Sequence, residues 1–267
     1  PADLTVALTS QTNVLCYDAS TGAINVTVAG GFGAYTYSWT GMNYLGGAYS
    51  SSTEDPSSLK AGTYNLTVTD GNGCSETLTG IVITQPPQLT ITKDSQTNIL
   101  CFGNSTGAVN VTAAGGFGAY TYAWTGTDYL GAAFSSSSED LTALKAGTYN
   151  LNVKDANNCS VNLATVTITQ PALLTVTKTG QNNVLCHDAA TGSINVTVAG
   201  GVPAGGYIFA WSGSDYLGTA YSSTVEDPTG LKAGTYDLLV TDANSCTATL
   251  ASVTITQPAD LTVALTS

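Results

Sequence analysis

The chain has 267 residues and a formal charge of −12, from 18 acidic residues against six lysines and no arginine. Only 9% of its residues are charged, against roughly 25% in an ordinary globular protein. Such a chain has little with which to displace phosphate counterions or to dock on anionic lipid, which argues against nucleic acid and membrane surface as partners. No apolar run reaches the roughly 18–20 residues that span a bilayer. The opening PADLTVALTS lacks the basic and apolar regions of a signal peptide, so it reads as mature or internal sequence.

Self-similarity sets the organisation. Cys16, Cys101 and Cys186 are spaced by 85 and 85, and Trp39, Trp124 and Trp211 by 85 and 87, as are Cys74, Cys159 and Cys246. The two extra residues fall in one turn, where GGFGAY becomes GGVPAGGY at Gly200–Tyr207. Three units follow, 1–85, 86–170 and 171–257, and Pro258–Ser267 repeats Pro1–Ser10 as the start of a further repeat. The chain is therefore expected to be part of a longer array. Each junction carries proline (Gln85-Pro86, Gln170-Pro171, Gln257-Pro258) and nothing like a flexible Gly/Ser linker. That predicts an extended rod.

Within a unit the apolar period is 2, the period of strands. In chain order, unit one predicts an entrance strand with Leu4 and Val6 inward. Strands follow with Ile24, Val26 and Val28, with Tyr35, Tyr37 and Trp39, and with Tyr64, Leu66 and Val68. The entrance strand leaves the core by Leu8, whose counterparts are Lys93 and Lys178. Turns are expected at Gly30-Gly31, Ala61-Gly62 and Asp70–Gly73. In the last strand Leu78, Ile81 and Ile83 are spaced three then two, which predicts a β-bulge. About seven strands, an early Trp strand and Gly62-Thr63-Tyr64 opening a late strand give an all-β fold of three tandem immunoglobulin-like sandwiches. The late tyrosine is a candidate tyrosine corner.

Two cysteines per unit at matched places, with no CxxC spacing, point away from zinc and towards disulfides and an oxidising compartment. The leading expectation is one bond within each unit: Cys16–Cys74, Cys101–Cys159 and Cys186–Cys246. A staple of Cys74 to Cys101 and Cys159 to Cys186, or free thiols, stays open.

The runs NVLCYDASTGAINVTVAGG, YTYSWTG, SSSTEDPSSLKAGTYNLTVTDGNGC and IVITQP, repeated in all three units, resemble the SprB repeat of giant surface adhesins of gliding Bacteroidota. Unit two departs with Phe102-Gly103 where the others have Tyr17-Asp18 and His187-Asp188. The resemblance implies an extracellular, surface-displayed filament or adhesin, exported by the type IX system and driven along gliding cells.

Chemistry-bearing residues are few. His187 has no second histidine for a triad or zinc site and reads as an aromatic packing position. The acidic pairs Glu54-Asp55, Glu139-Asp140 and Glu226-Asp227, with Asp70, Asp155 and Asp242, offer oxygen for Ca²⁺, but without EF-hand spacing they read as backbone caps. Lys60, Lys145 and Lys232 are placed to pair with the second acid. The NxT motifs at Asn25, Asn65, Asn110 and Asn195 fall mid-strand and read as outward polar positions. Tyr44, Tyr49, Tyr129, Phe134, Tyr216 and Tyr221 flank a Gly-rich turn and are the candidate contacts for sugar or another filament. No general acid–base pair assembles. The expectation is a non-enzymatic stalk without cofactor, whose partners are its neighbouring repeats. The alternative is a repeat that itself binds surface polysaccharide or other filaments.

Overall fold

The computed structural model describes residues 2–263, and 264–267 of the expected further repeat lie outside them. In unit one the strands are β1 (Thr5–Thr12), β2 (Ala23–Ala29), β3 (Thr36–Asn43), β4 (Ala48–Ser51), β5 (Gly62–Thr69) and β6 (Ser75–Ile83). Unit two has β7 (Thr90–Thr97), β8 (Gly107–Ala114), β9 (Thr121–Asp128), β10 (Ala133–Ser136), β11 (Leu141–Leu144), β12 (Gly147–Lys154) and β13 (Ser160–Ile168). Unit three repeats these as β14 (Ala172–Asn182), β15 (Gly192–Gly201), β16 (Ile208–Asp215), β17 (Ala220–Ser223), β18 (Thr229–Leu231), β19 (Gly234–Thr241) and β20 (Thr247–Ile255). No helix occurs among the described residues. Residues 258–263 carry no strand.

Each unit stacks a small antiparallel sheet on a four-stranded one. The four-stranded orders are β4-β3-β5-β6, β10-β9-β12-β13 and β17-β16-β19-β20. The small sheets are β1-β2, β11-β8-β7 and β14-β15-β18. In unit one the seventh strand shrinks to a single bridge, Gly22 to Leu59. Alternation decides what lies between the sheets: Ile24, Trp39, Tyr64, Leu66 and Val68 are buried, with matching sets around Trp124 and Trp211. Each Trp is 1–2% exposed, and its indole N–H is satisfied by a loop carbonyl, Thr53 O at 2.9 Å for Trp39.

Local chemistry explains the remaining geometry. The bulge in the last strand is present in all three units. Tyr64 pairs Ile81 and Leu66 pairs Leu78, so three steps oppose two, and units two and three repeat the shift. Tyr64 Oη donates to Lys60 O at 2.7 Å, and Tyr149 and Tyr236 do the same to Lys145 O and Lys232 O. This is the tyrosine-corner geometry. Gly30 needs its lack of a side chain, because its φ is +74° and a Cβ would sit 1.9 Å from Asp3 O. The longer turn of unit three leaves its anchor intact: Tyr207 Oη still donates to Gly200 O, as Tyr35 does to Gly30 O. Ala61-Gly62 does not make the expected turn; Ala61 is buried and Gly62 opens β5 against the Met42 carbonyl.

Candidate functional site

The residues with distinctive chemistry gather at the two ends of each sandwich. At the proximal end, where the chain enters, Gly31 N–H donates to Ala2 O and Gly71 N–H to Phe32 O. That joins the β2–β3 turn to the β5–β6 hairpin. Asp70 organises the hairpin. Its Oδ1 accepts from Asn72 and Cys74 N–H and its Oδ2 from Phe32 N–H, all at 2.9 Å. Asp155 and Asp242 repeat this set. These donors, that of Cys74 foremost, hold the Asp70 carboxyl below its ordinary range against the upward pull of burial. For Asp242 burial is the largest single influence and raises the pKa, but the Val202, Cys246 and Asn244 N–H groups outweigh it and the net shift is downward.

The distal end holds the loop between β1 and β2. Val14 N–H donates to Thr84 O at 2.9 Å and Leu15 N–H to Thr21 Oγ1. The junction glutamine closes the loop: Gln85 Oε1 accepts from Asp18 N–H, Gln170 from Gly103 and Gln257 from Asp188. All three donor residues have positive φ. That accounts for glycine at 103, and Asp18 and Asp188 are types that tolerate the left-handed region. Asp18 also pairs Lys60 at 2.7 Å, chiefly through which its pKa falls. Lys145 pairs Asp128 at 3.6 Å. The pairs expected from the sequence, Lys60–Asp55, Lys145–Asp140 and Lys232–Asp227, are therefore absent among the described residues. Those acids have other work: Asp55, Asp140 and Asp227 accept from Val26, Val111 and Val196 N–H.

The disulfides correct the expected pairing. Cys16 bonds Cys159 and Cys101 bonds Cys246, with Cα–Cα distances of 5.6 and 5.5 Å. Among the described residues Cys74 and Cys186 are unpaired and exposed. Cys16–Cys74 cannot form, because the two lie at opposite ends of a sandwich whose eight-residue strands span roughly 26 Å. A disulfide tolerates at most about 7 Å between Cα atoms. The same reason removes Cys101–Cys159, Cys186–Cys246 and both staples, whose partners sit at the far ends of consecutive units. The bond instead joins the distal loop of one unit to the proximal hairpin of the next. Asn157 Nδ2 donates to Leu15 O at 2.8 Å beside the first bond, and Asn244 Nδ2 to Leu100 O at 3.0 Å beside the second. Sequence reasoning missed this asparagine, and it placed the junction glutamine without its bond to the distal loop; their recurrence at fixed offsets from cysteine and proline was the available signal.

The family profile described as SprB repeat matches residues 8–43, 94–128 and 179–215, once in each unit. The chain carries three SprB repeats. Each match takes in the Cys-loop and the Trp strand and stops before the hairpin that carries the second cysteine. No curated protein matches the chain. Among solved structures, three N-terminal domains of the bacteriophage RB49 highly immunogenic outer capsid protein align over 96% of this chain and 99% of theirs, at 14% identity and a TM-score of 0.38. A tetra-tandem repeat in the extending region of a large adhesion protein aligns over 94% and 74%, at 17% identity and 0.29. Titin domains I67–I69 align over 97% and 100%, at 10% and 0.38.

In these SprB units the turn aromatics split into two sets. Tyr49, Phe134 and Tyr221 are half-buried, edge-on to the core Tyr64, Tyr149 and Tyr236 at 5.1–5.2 Å. Tyr44, Tyr129 and Tyr216 are exposed, edge-on to Tyr17, Phe102 and His187 at 5.5–6.1 Å. His187 thus sits in an aromatic slot. Among the described residues no three acidic, His or Cys side chains converge as a metal site would require. Two of the sequon side chains bond within their own unit: Asn25 Nδ2 donates to Ser10 Oγ and Asn65 Oδ1 accepts from Gly80 N–H at the bulge.

Proposed function

We propose that this chain is a load-bearing spacer in the extracellular repeat region of a surface adhesin, holding an adhesive region away from the cell. SprB-repeat membership supports the surface setting, including gliding cells and type IX export, and the disulfides support an oxidising compartment. The observation that carries the spacer reading is the pair of end-to-end bonds, Cys16–Cys159 and Cys101–Cys246. An exposed surface of 14450 Å² agrees with it, since a compact monomer of this mass exposes about 10,800 Å².

The bonds also limit extension. The shortest covalent path from Pro1 to Ser267 crosses from Cys16 to Cys159, runs back to Cys101 and crosses to Cys246. It contains about 97 of the 267 residues. At about 3.5 Å per extended residue, the unfolded oxidised chain reaches about 340 Å and the reduced chain about 930 Å. Single-molecule pulling should therefore stop near a third of the reduced length until reductant is added. An oxidised chain that reaches the reduced length overturns the proposal. The competing reading, adhesion through the repeats, requires the chain to bind a polysaccharide array and to lose that binding in Tyr44→Ala, Tyr129→Ala and Tyr216→Ala.

A further inference from the structure

In each unit the first and last strands run the same way, from proximal to distal end, and both are sheet edges: β1 and β6, β7 and β13, β14 and β20. Side chains tie each pair together. Gln11 Nε2 donates to Val82 O at 3.1 Å, and Thr84 N–H to Asn13 Oδ1 at 2.9 Å. The same two bonds join β7 to the end of β13 through Gln96 and Asn98, and β14 to the end of β20 through Gln181 and Asn183. At each junction two covalent links cross. The peptide carries the last strand of one unit into the first strand of the next. The disulfide carries the first strand of one unit, through its cysteine loop, to the last strand of the next. The edge strands thereby join into two covalent cords. One runs from Asp3 through β1 to Cys16, crosses to Cys159 and continues through β13 and β14 to Cys186. The other runs from Cys74 through β6 and β7 to Cys101, crosses to Cys246 and continues through β20 to Gln257. Each passes all three units with about 40 residues, about two thirds of them already in strands. A strand rises about 3.3 Å per residue and a stretched chain about 3.5 Å, so the cords have slack only in their turns.

We infer that these two cords carry axial load past the cores. The strands that hold Trp39, Trp124 and Trp211 (β3, β9 and β16) and the tyrosine corners (β5, β12 and β19) lie on neither cord. Tension passing from unit to unit enters and leaves along edge strands, and the glutamine and asparagine bonds between the cords share it. The edge strands are held at a length they have nearly reached, so the cores are not asked to unfold. Pro1 and Ser267 belong to different cords, which is why the path between them runs back through unit two. With the disulfides reduced, only the peptide junctions tie the units, and tension has to pass through every strand of unit two in turn. The use of the cords rests on the spacer reading; their course rests on the strand order and the two bonds.

The test is single-molecule pulling from chosen points, with handles attached by thioether bonds that survive reductant. The native chain takes them on Cys74 and Cys186, which are exposed and lie on different cords. Asp3→Cys combined with Cys74→Ser takes them at position 3, exposed in the fold, and at Cys186, which share a cord. Peptide mapping first checks that both chains keep Cys16–Cys159 and Cys101–Cys246. In the oxidised state the same-cord chain should stop at about 145 Å and the cross-cord chain at about 300 Å. Dithiothreitol is oxidised to its cyclic disulfide as each protein bond becomes two thiols, and it should invert the order, to about 640 Å and about 390 Å. Equal oxidised limits would overturn the cords. So would a same-cord chain that releases a core-sized step of about 200 Å before reductant is added. Either result leaves the spacer reading standing if pulling from Pro1 and Ser267 still stops short of the reduced length. Polysaccharide binding by a chain whose two limits invert as expected would fail the spacer reading and still support the cords.

Discussion

The interior of each sandwich and its two ends behave differently. The interiors are near copies: the same Trp, the same tyrosine corner and the same bulge recur, and each cluster is complete within its own unit. The ends are complete only in pairs. A distal loop at Leu15 or Leu100 is satisfied by the hairpin of the following unit. The units can therefore fold one by one, while the order of the array is held at the ends, as in other quasi-one-dimensional repeat proteins.

The sharpest way to break this comparison is at the core. Trp124→Ala should destabilise unit two by about 3–5 kcal/mol, and units one and three should keep their transitions in a denaturant titration. Loss of all three together would mean that the cores are not independent. A smaller effect is expected at the ends. Cys16→Ser with Cys159→Ser should lower the unfolding free energy of the adjoining units by about 2–4 kcal/mol, with the strand content seen by circular dichroism unchanged. Loss of the strand signal would show that the bond builds the fold and does not merely join folded units.

The smallest effect is acid sensitivity of the ends. Asp18, Asp70 and Asp242 titrate below the ordinary carboxylate range in the folded chain. Asp128 and Asp215 do so too, chiefly because Ala132 and Thr219 N–H donate to them. A depressed folded pKa adds stability that is fully present above the unfolded value and is lost as pH falls through the folded one. Unfolding midpoints should therefore hold steady down to about pH 4 and decline below it. Asp70→Asn should flatten part of that decline, and an unchanged slope would remove the hairpin cap from the account.

The sequence by itself determined what lies inside a unit. Period-2 runs place Val26, Trp39 and Leu66 between the sheets, because successive strand side chains face opposite ways. The 3-then-2 spacing of Leu78, Ile81 and Ile83 needs one extra residue to keep a common face. Those are local constraints, legible from neighbours in the chain. The cysteine pairing was not legible, since matched counts per unit fit several connectivities equally well. Only the tertiary structure decided it. Strands set Cys16 and Cys74 at opposite ends of one rigid body, and the junction brings Cys16 to Cys159, 143 residues away in sequence. A covalent bond requires a few ångströms of separation, and only the packed arrangement of one unit on the next supplies it.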